Sequence, residues 1–165
     1  VMTMHERTPE LDKLKVAWVG DGNNVAHSWI NAAVHFPFFL HMAIPEGFDP
    51  DPKILENARS KGAKIELTRD PRRAVEDCDY VNTDVWASMG QEEEQQARME
   101  TFAPFQVNEE LLARAGSKAR VMHCLPAHRG EEITDGVIEG PSSIVWDQAE
   151  NRLHMQKAIL VWIFS

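Results

Sequence analysis

At 165 residues, with 43% hydrophobic and 26% charged content, the chain is long enough for one globular unit with a sizeable core, and disordered, collagen-like and disulfide-scaffold classes are excluded. Twenty-six acidic residues against 17 basic ones leave a formal charge of −9, so neither nucleic acid nor an anionic membrane is expected as a partner, and a bound anion would need locally placed donors. Only Cys78 and Cys124 are present, too few for a disulfide framework; with no secretory leader ahead of the first strand-like run, a cytoplasmic location is the expectation.

The opening stretch VMTMHERTPELDKL has helix-like content without a companion element and reads as the tail of a longer protein. Short β-rich runs then alternate with helical patterns, which points to an α/β fold: a doubly wound, Rossmann-like parallel sheet of five strands with helices on both faces. Lys15 to Gly20 is the first strand, and from Asn23 the residues Val25, Trp29, Ile30, Ala33 and Val34 recur at helical spacing. Phe38 to Ile44 is the second strand; Asp51 then Pro52 is an N-cap with proline at the first helical position, and Gly62 ends that helix. The third strand, Lys64 to Leu67, precedes a second Asp-Pro pair at Asp70 and Pro71. Tyr80 to Asp84 and Arg120 to Leu125 are the fourth and fifth strands. A brief run from Ile144 to Trp146 leads into Asp147 to Glu150, spaced like a capping box at the start of the last helix. That helix closes with QKAILVWIFS, apolar around most of its circumference, and needs cover on more than one side. Its longest apolar run, Ala158 to Phe164, falls far short of the roughly 20 residues of a membrane span.

Open parallel sheets bind ligands beyond the carboxyl ends of their strands, so a cluster that directly follows a strand is a site candidate. Gly20-Asp21-Gly22-Asn23-Asn24 stands where a dinucleotide fingerprint would, but lacks its third glycine; a glycine turn with an asparagine cap competes with nicotinamide binding. Paired asparagines also offer neutral amides suited to an amino-acid headgroup. Asp84-Val85-Trp86-Ala87-Ser88-Met89-Gly90 follows the fourth strand. Ser88 with Gln91 makes a capping box, and Glu92 to Glu94 suit the positive end of a helix. Capping leaves Asp84 unexplained: its carboxylate can hold a substrate ammonium while helix-start N–H groups hold a carboxylate. Gly90 would let the segment move as a lid.

His123-Cys124-Leu125-Pro126 ends the fifth strand, where a buried cysteine and a capping histidine are the plain alternative. A zinc site from His123, Cys124 and His128 lacks paired ligand spacing. A Cys–His nucleophile pair is disfavoured because consecutive strand residues point to opposite faces. Arg152, early in the last helix, could reach a phosphate or a developing oxyanion, or be a solvated surface residue.

With DGNNVAHSW, DVWASMGQEEE, MHCLPAHRGEEIT and DQAENRLHMQKAIL in order, the chain resembles the ornithine-binding, C-terminal half of the ornithine carbamoyltransferases over about Leu14 to Leu160. Aspartate and putrescine carbamoyltransferases lack the Ser-Met-Gly version of the second segment. The resemblance implies that Asn24, Asp84, Ser88 and Met89 contact L-ornithine, that Cys124 and Leu125 lie between ornithine and the carbamoyl group, and that Arg152 contacts carbamoyl phosphate. Cys124, Arg152 and His123 are then the expected catalytic residues. It implies transfer of the carbamoyl group to the ornithine side-chain amine, giving citrulline and phosphate, with no metal and no organic cofactor.

The family's Ser-x-Arg-Thr-Arg and His-Pro-x-Gln motifs occur nowhere in these 165 residues. Residues 1–14 would therefore be the remnant of a linker helix, residues 15–165 the ornithine-binding domain, and the carbamoyl-phosphate-binding domain a missing N-terminal partner. The complete enzyme is expected to be a homotrimer, and this piece an inactive monomer or weak dimer. A stand-alone amino-acid-binding module without chemistry is the competing expectation, and a nucleotide-dependent oxidoreductase the third.

Overall fold

The computed structural model describes residues 1–86 and 95–165. Five strands pair in parallel: β1 (Lys15–Val19), β2 (Phe39–Ala43), β3 (Ile65–Thr68), β4 (Tyr80–Thr83) and β5 (Arg120–His123), in the order β3-β2-β1-β4-β5. The chain winds outward from β1 to β3, returns to β4 beside β1, and winds outward again to β5. The reversal opens a crevice between the carboxyl ends of β1 and β4, where sheets of this kind hold their ligands.

Both faces of the sheet are covered, so strand residues of either parity are apolar. Val16 and Trp18 of β1 join Trp29 and Ile30 of α2 (Asn24–His35) and Ala58 of α3 (Pro52–Ser60) in one core. Ala17 and Val19 point the other way, into a second core with Ala74 and Val75 of α4 (Pro71–Val75), Leu111 of α6 (Glu109–Leu112) and Val137 of α7 (Asp135–Ile138). Trp18 is wholly buried, and its truncation to alanine would cost about 3–5 kcal/mol.

Helix starts follow the side chains that can cap them. Asn23, Asp51 and Asp70 each accept backbone N–H groups of the helix they precede, removing donors that would otherwise be unsatisfied.

Two boundaries differ from the sequence expectation. β5 stops at His123 because Leu125 turns into the left-handed region, φ +53°. The last helix, α8 (Val145–Phe164), begins inside the Ile144–Trp146 run, and no side chain caps it. Ile144 N–H instead bonds to the Val121 carbonyl, and Asp147, the expected cap, pairs with Arg7. α8 packs on α1 (Met2–His5), where the Asn151 amide donates to Thr3 Oγ1 at 3.0 Å and Glu6 Oε2 at 2.6 Å. Its far half is uncovered: Trp162 and Phe164 are 80% and 83% exposed. No helix among the described residues is long and apolar enough to cross a membrane.

Candidate functional site

The chain leaves β1 through two glycines that no other residue could replace without a shift. Gly20 has φ +144°, and a Cβ on Gly22 would lie 2.4 Å from the Phe48 carbonyl oxygen. Gly22 N–H donates to that oxygen at 2.9 Å, so the loop is pressed against the segment following β2. Asn23 then opens α2: its Oδ1 accepts the Val25 and Ala26 N–H groups at 2.9 and 3.1 Å. A side chain at position 22 would collide with Phe48–Pro50, and the N–H groups of Val25 and Ala26 at the helix start are taken by Asn23, so the glycine and the asparagine both have a structural use in this turn.

The Asn23 side chain has a second use. Its Nδ2 donates to Asp84 Oδ2 at 3.1 Å across the crevice. Asp84 follows β4 directly and is 8% exposed. Its Oδ1 accepts the Val85 N–H at 2.8 Å and the Cys124 thiol at 3.0 Å. One carboxylate therefore ties together the loops after β1, β4 and β5.

Cys124 is exposed as a residue, while its thiol is desolvated by the surrounding protein and faces Asp84. Burial first, then the hydrogen bond and charge of Asp84, push its pKa up to about 12. At neutral pH it is a thiol that donates a hydrogen bond, and the thiolate needed for nucleophilic attack is suppressed.

His123 stands behind the site. Its side chain is fully buried, Nε2 lies 3.0 Å from Glu132 Oε1, and Nδ1 accepts the Leu125 N–H at 2.9 Å. Both ring nitrogens are thus engaged, and the side chain is closed to solvent. The zinc set His123, Cys124 and His128 is not assembled, because Cys124 is bonded to Asp84 and His123 to Glu132 and Leu125.

Asn24 is exposed at the first position of α2, next to Asn23. Leu125 is half-buried in the turn after Cys124. Arg152 is exposed on α8, one turn beyond Gln148, whose Oε1 accepts the His123 backbone N–H at 3.1 Å. The structure thus brings Asp84 and Cys124 into contact. Arg152 lines a different surface: with Val1, Glu10, Phe36 and Met155 it borders a hollow of about 950 Å³ between α1 and α8 that includes neither of them. Ser88, Met89, Gly90 and the Ser88–Gln91 capping box lie outside the described residues.

Sequence reasoning missed a buried arginine. Arg98, on α5 (Gln95–Phe102), donates from Nε to the Trp86 carbonyl at 2.6 Å, pairs with Asp21, and stacks over Phe48 and Phe102 at 4.7 and 5.0 Å. It joins the segment leaving β4 to the loop after β1. Burial raises the Asp21 pKa, with Arg98 pulling against it. A lone arginine among the polar residues of QQARMETF offers no periodic signal of this role.

A family profile described as "Aspartate/ornithine carbamoyltransferase, Asp/Orn binding domain" matches residues 12–163. The chain is 63% identical over all 165 of its residues to the ornithine carbamoyltransferase of Nitratidesulfovibrio vulgaris, covering 55% of that protein. Among solved structures it is similar to ornithine carbamoyltransferase from Pyrococcus furiosus, at 52% identity and TM-score 0.90 over 96% of this chain and 52% of that one. The Thermus thermophilus ornithine carbamoyltransferase is similar at 40% identity and TM-score 0.88, over 99% and 53%. The chain spans about half the length of the curated relatives it matches.

Proposed function

Because this chain belongs to the aspartate/ornithine carbamoyltransferase family through its Asp/Orn binding domain, we propose that it is the ornithine-holding half of an ornithine carbamoyltransferase, supplying part of a site completed by a carbamoyl-phosphate-binding half. The observation that carries this is the meeting of Asn23, Asp84 and Cys124 across the crevice between β1 and β4. It is a polar rim with one carboxylate at its centre, suited to an amino-acid headgroup.

In the proposed reaction the uncharged side-chain amine of L-ornithine attacks the carbonyl carbon of carbamoyl phosphate. A C–N bond forms, the C–O bond to phosphate breaks with its electron pair leaving on the phosphate oxygen, and the amine's surplus proton passes to the departing phosphate or to solvent, leaving citrulline and phosphate. The nucleophile belongs to the substrate, so the protein's tasks are alignment and stabilisation of the oxyanion. Asp84 and the exposed Asn24 hold the α-carbon groups, together with Ser88 and Met89. Cys124, kept as a neutral thiol, steers the reacting amine beside Leu125. Arg152 meets carbamoyl phosphate from α8.

We assign the uncovered half of α8 and the hollow beside Arg152 to contact with the missing half. Exposed apolar side chains run from Ile159 to Phe164, more than a free surface ordinarily carries. Residues 1–14 then form the link between halves, and trimer assembly runs through the half outside this chain. Free thiols at Cys78 and Cys124 support a cytoplasmic setting.

The test is citrulline formation. The chain alone is expected to form none at enzyme rates. A complete polypeptide, made by exchanging this chain for the matching half of the Nitratidesulfovibrio vulgaris relative, is expected to turn over at roughly 1 to 10³ per second. Carbamoylation by that hybrid of a different amine in preference to ornithine would contradict the proposal.

A further inference from the structure

Glu132 belongs to none of the groups assigned to substrate, yet its side chain is completely buried. Its Oε1 meets His123 Nε2 at 3.0 Å and accepts the His128 N–H at 2.7 Å, while Oε2 has no partner among the described residues. Across the ring, His123 Nδ1 accepts the Leu125 N–H at 2.9 Å. A ring nitrogen that accepts carries no hydrogen, so the hydrogen sits on Nε2 and points at Glu132. Leu125, at φ +53°, holds a conformation in which a branched side chain crowds its own backbone; such a residue stays there only when its surroundings hold it. The residue before it is Cys124, with Sγ 3.0 Å from Asp84 Oδ1.

We propose that Glu132, acting through His123, is a positioning residue of this site: it aims Nδ1 at the Leu125 amide and so holds the turn that sets Cys124 against Asp84. The kinetic consequence rests on the ornithine-site reading above; the structural one does not. Glu132 supplies an acceptor at Oε1, while Oε2 meets no donor among the described residues; what the bond to His123 requires is therefore the placed acceptor rather than the charge. Glu132→Gln keeps that acceptor with the charge removed. Glu132→Asp keeps the charge but draws the carboxylate back by one methylene, away from Nε2. The two variants therefore rank in the opposite order from that of a charge requirement.

The experiment combines ¹⁵N NMR of the His123 ring in this chain with kcat and KM in the hybrid polypeptide. Wild type and Glu132→Gln are expected to show the Nε2–H tautomer and the same kcat within about twofold. Glu132→Asp is expected to mix tautomers and lose about ten- to a hundredfold in kcat, the scale of a misplacement near 1 Å, with KM for carbamoyl phosphate unchanged. An Nδ1–H ring in wild type, Glu132→Gln as slow as Glu132→Asp, or Glu132→Asp with wild-type kcat would each overturn the proposal. So would melting temperatures that fall in both variants while kcat per folded molecule holds. Should Glu132→Asp not fold, the wild-type tautomer and the Glu132→Gln kcat decide: Nε2–H with kcat retained upholds the proposal, and either failure overturns it. If the wild-type hybrid forms no citrulline, the functional reading falls while the tautomer measurements still decide the positioning claim.

Discussion

Replacing Asp84 with asparagine keeps the shape of the side chain and removes its charge, which isolates what the carboxylate does to Cys124. In the wild type the Cys124 thiol is pushed up to about 12, so at pH 8 the thiolate fraction is on the order of 10⁻⁴. Burial, the largest cause, survives the substitution; the hydrogen bond and charge of Asp84 do not. A drop of about one to two pH units multiplies the thiolate about ten- to a hundredfold. Each unit also weakens the sulfur as a nucleophile by about threefold. The net gain in alkylation rate is then about threefold to tenfold, and the midpoint of the rate-against-pH curve moves down. Iodoacetamide labelling followed by peptide mass spectrometry reads Cys124 separately from Cys78, which is buried. The new amide nitrogen faces Asn23, Val85 or Cys124 as a second donor, costing about 1–3 kcal/mol, so labelling is run where circular dichroism shows the variant native. An unchanged or higher midpoint would refute the claim that Asp84 holds Cys124 protonated.

Three further outcomes are expected. Arg98→Met strands Asp21, whose side chain is 18% exposed, and should lower urea-unfolding stability by about 3–5 kcal/mol; adding Asp21→Asn should recover part of it, and a loss below about 1 kcal/mol would contradict the buried pair. Cys78 is raised from 9.0 to about 12, chiefly by burial, so the folded chain keeps a proton that the unfolded chain has lost between those values. Its stabilising effect is complete below pH 9 and declines by about 1.4 kcal/mol per unit above it; Cys78→Ala should flatten the slope of stability between pH 8 and 10, and equal slopes would contradict the sign. Trp162→Glu with Phe164→Lys should reduce concentration-dependent association in analytical ultracentrifugation while changing stability by less than about 0.5 kcal/mol, because both side chains are exposed; a large loss of stability would show that they pack in the free chain.

The sheet was legible because parallel strands buried on both faces read as short apolar runs, and because Asp51-Pro52 and Asp70-Pro71 mark helix starts through side-chain chemistry that acts locally. Asp84 was legible for a related reason: a carboxylate at a strand end has no capping explanation. Long-range pairing left less trace. Asn23 looks like a cap and is one, but its second bond to Asp84 depends on two loops 61 residues apart meeting at the crevice. His123 shows no sign in the sequence of its contact with Glu132, nine residues on, at Nε2. Arg98 is a helix residue like any other until the fold brings Asp21, 77 positions away, against its guanidinium. Ile144 misled in the opposite way, since its β-rich neighbourhood pairs with Val121 for a single bridge before α8 begins.

In the proposed function the amino-acid substrate sits at the rim formed by Asn23, Asp84 and Cys124. A crystal structure of the hybrid polypeptide with norvaline, the ornithine analogue that lacks the reacting amine, and carbamoyl phosphate tests this directly. The analogue's α-ammonium is expected within hydrogen-bonding distance of Asp84, its carboxylate beside Asn24, and its side chain running toward Cys124. Density for norvaline elsewhere, with Asp84 still bonded only to Asn23, Val85 and Cys124, would contradict it.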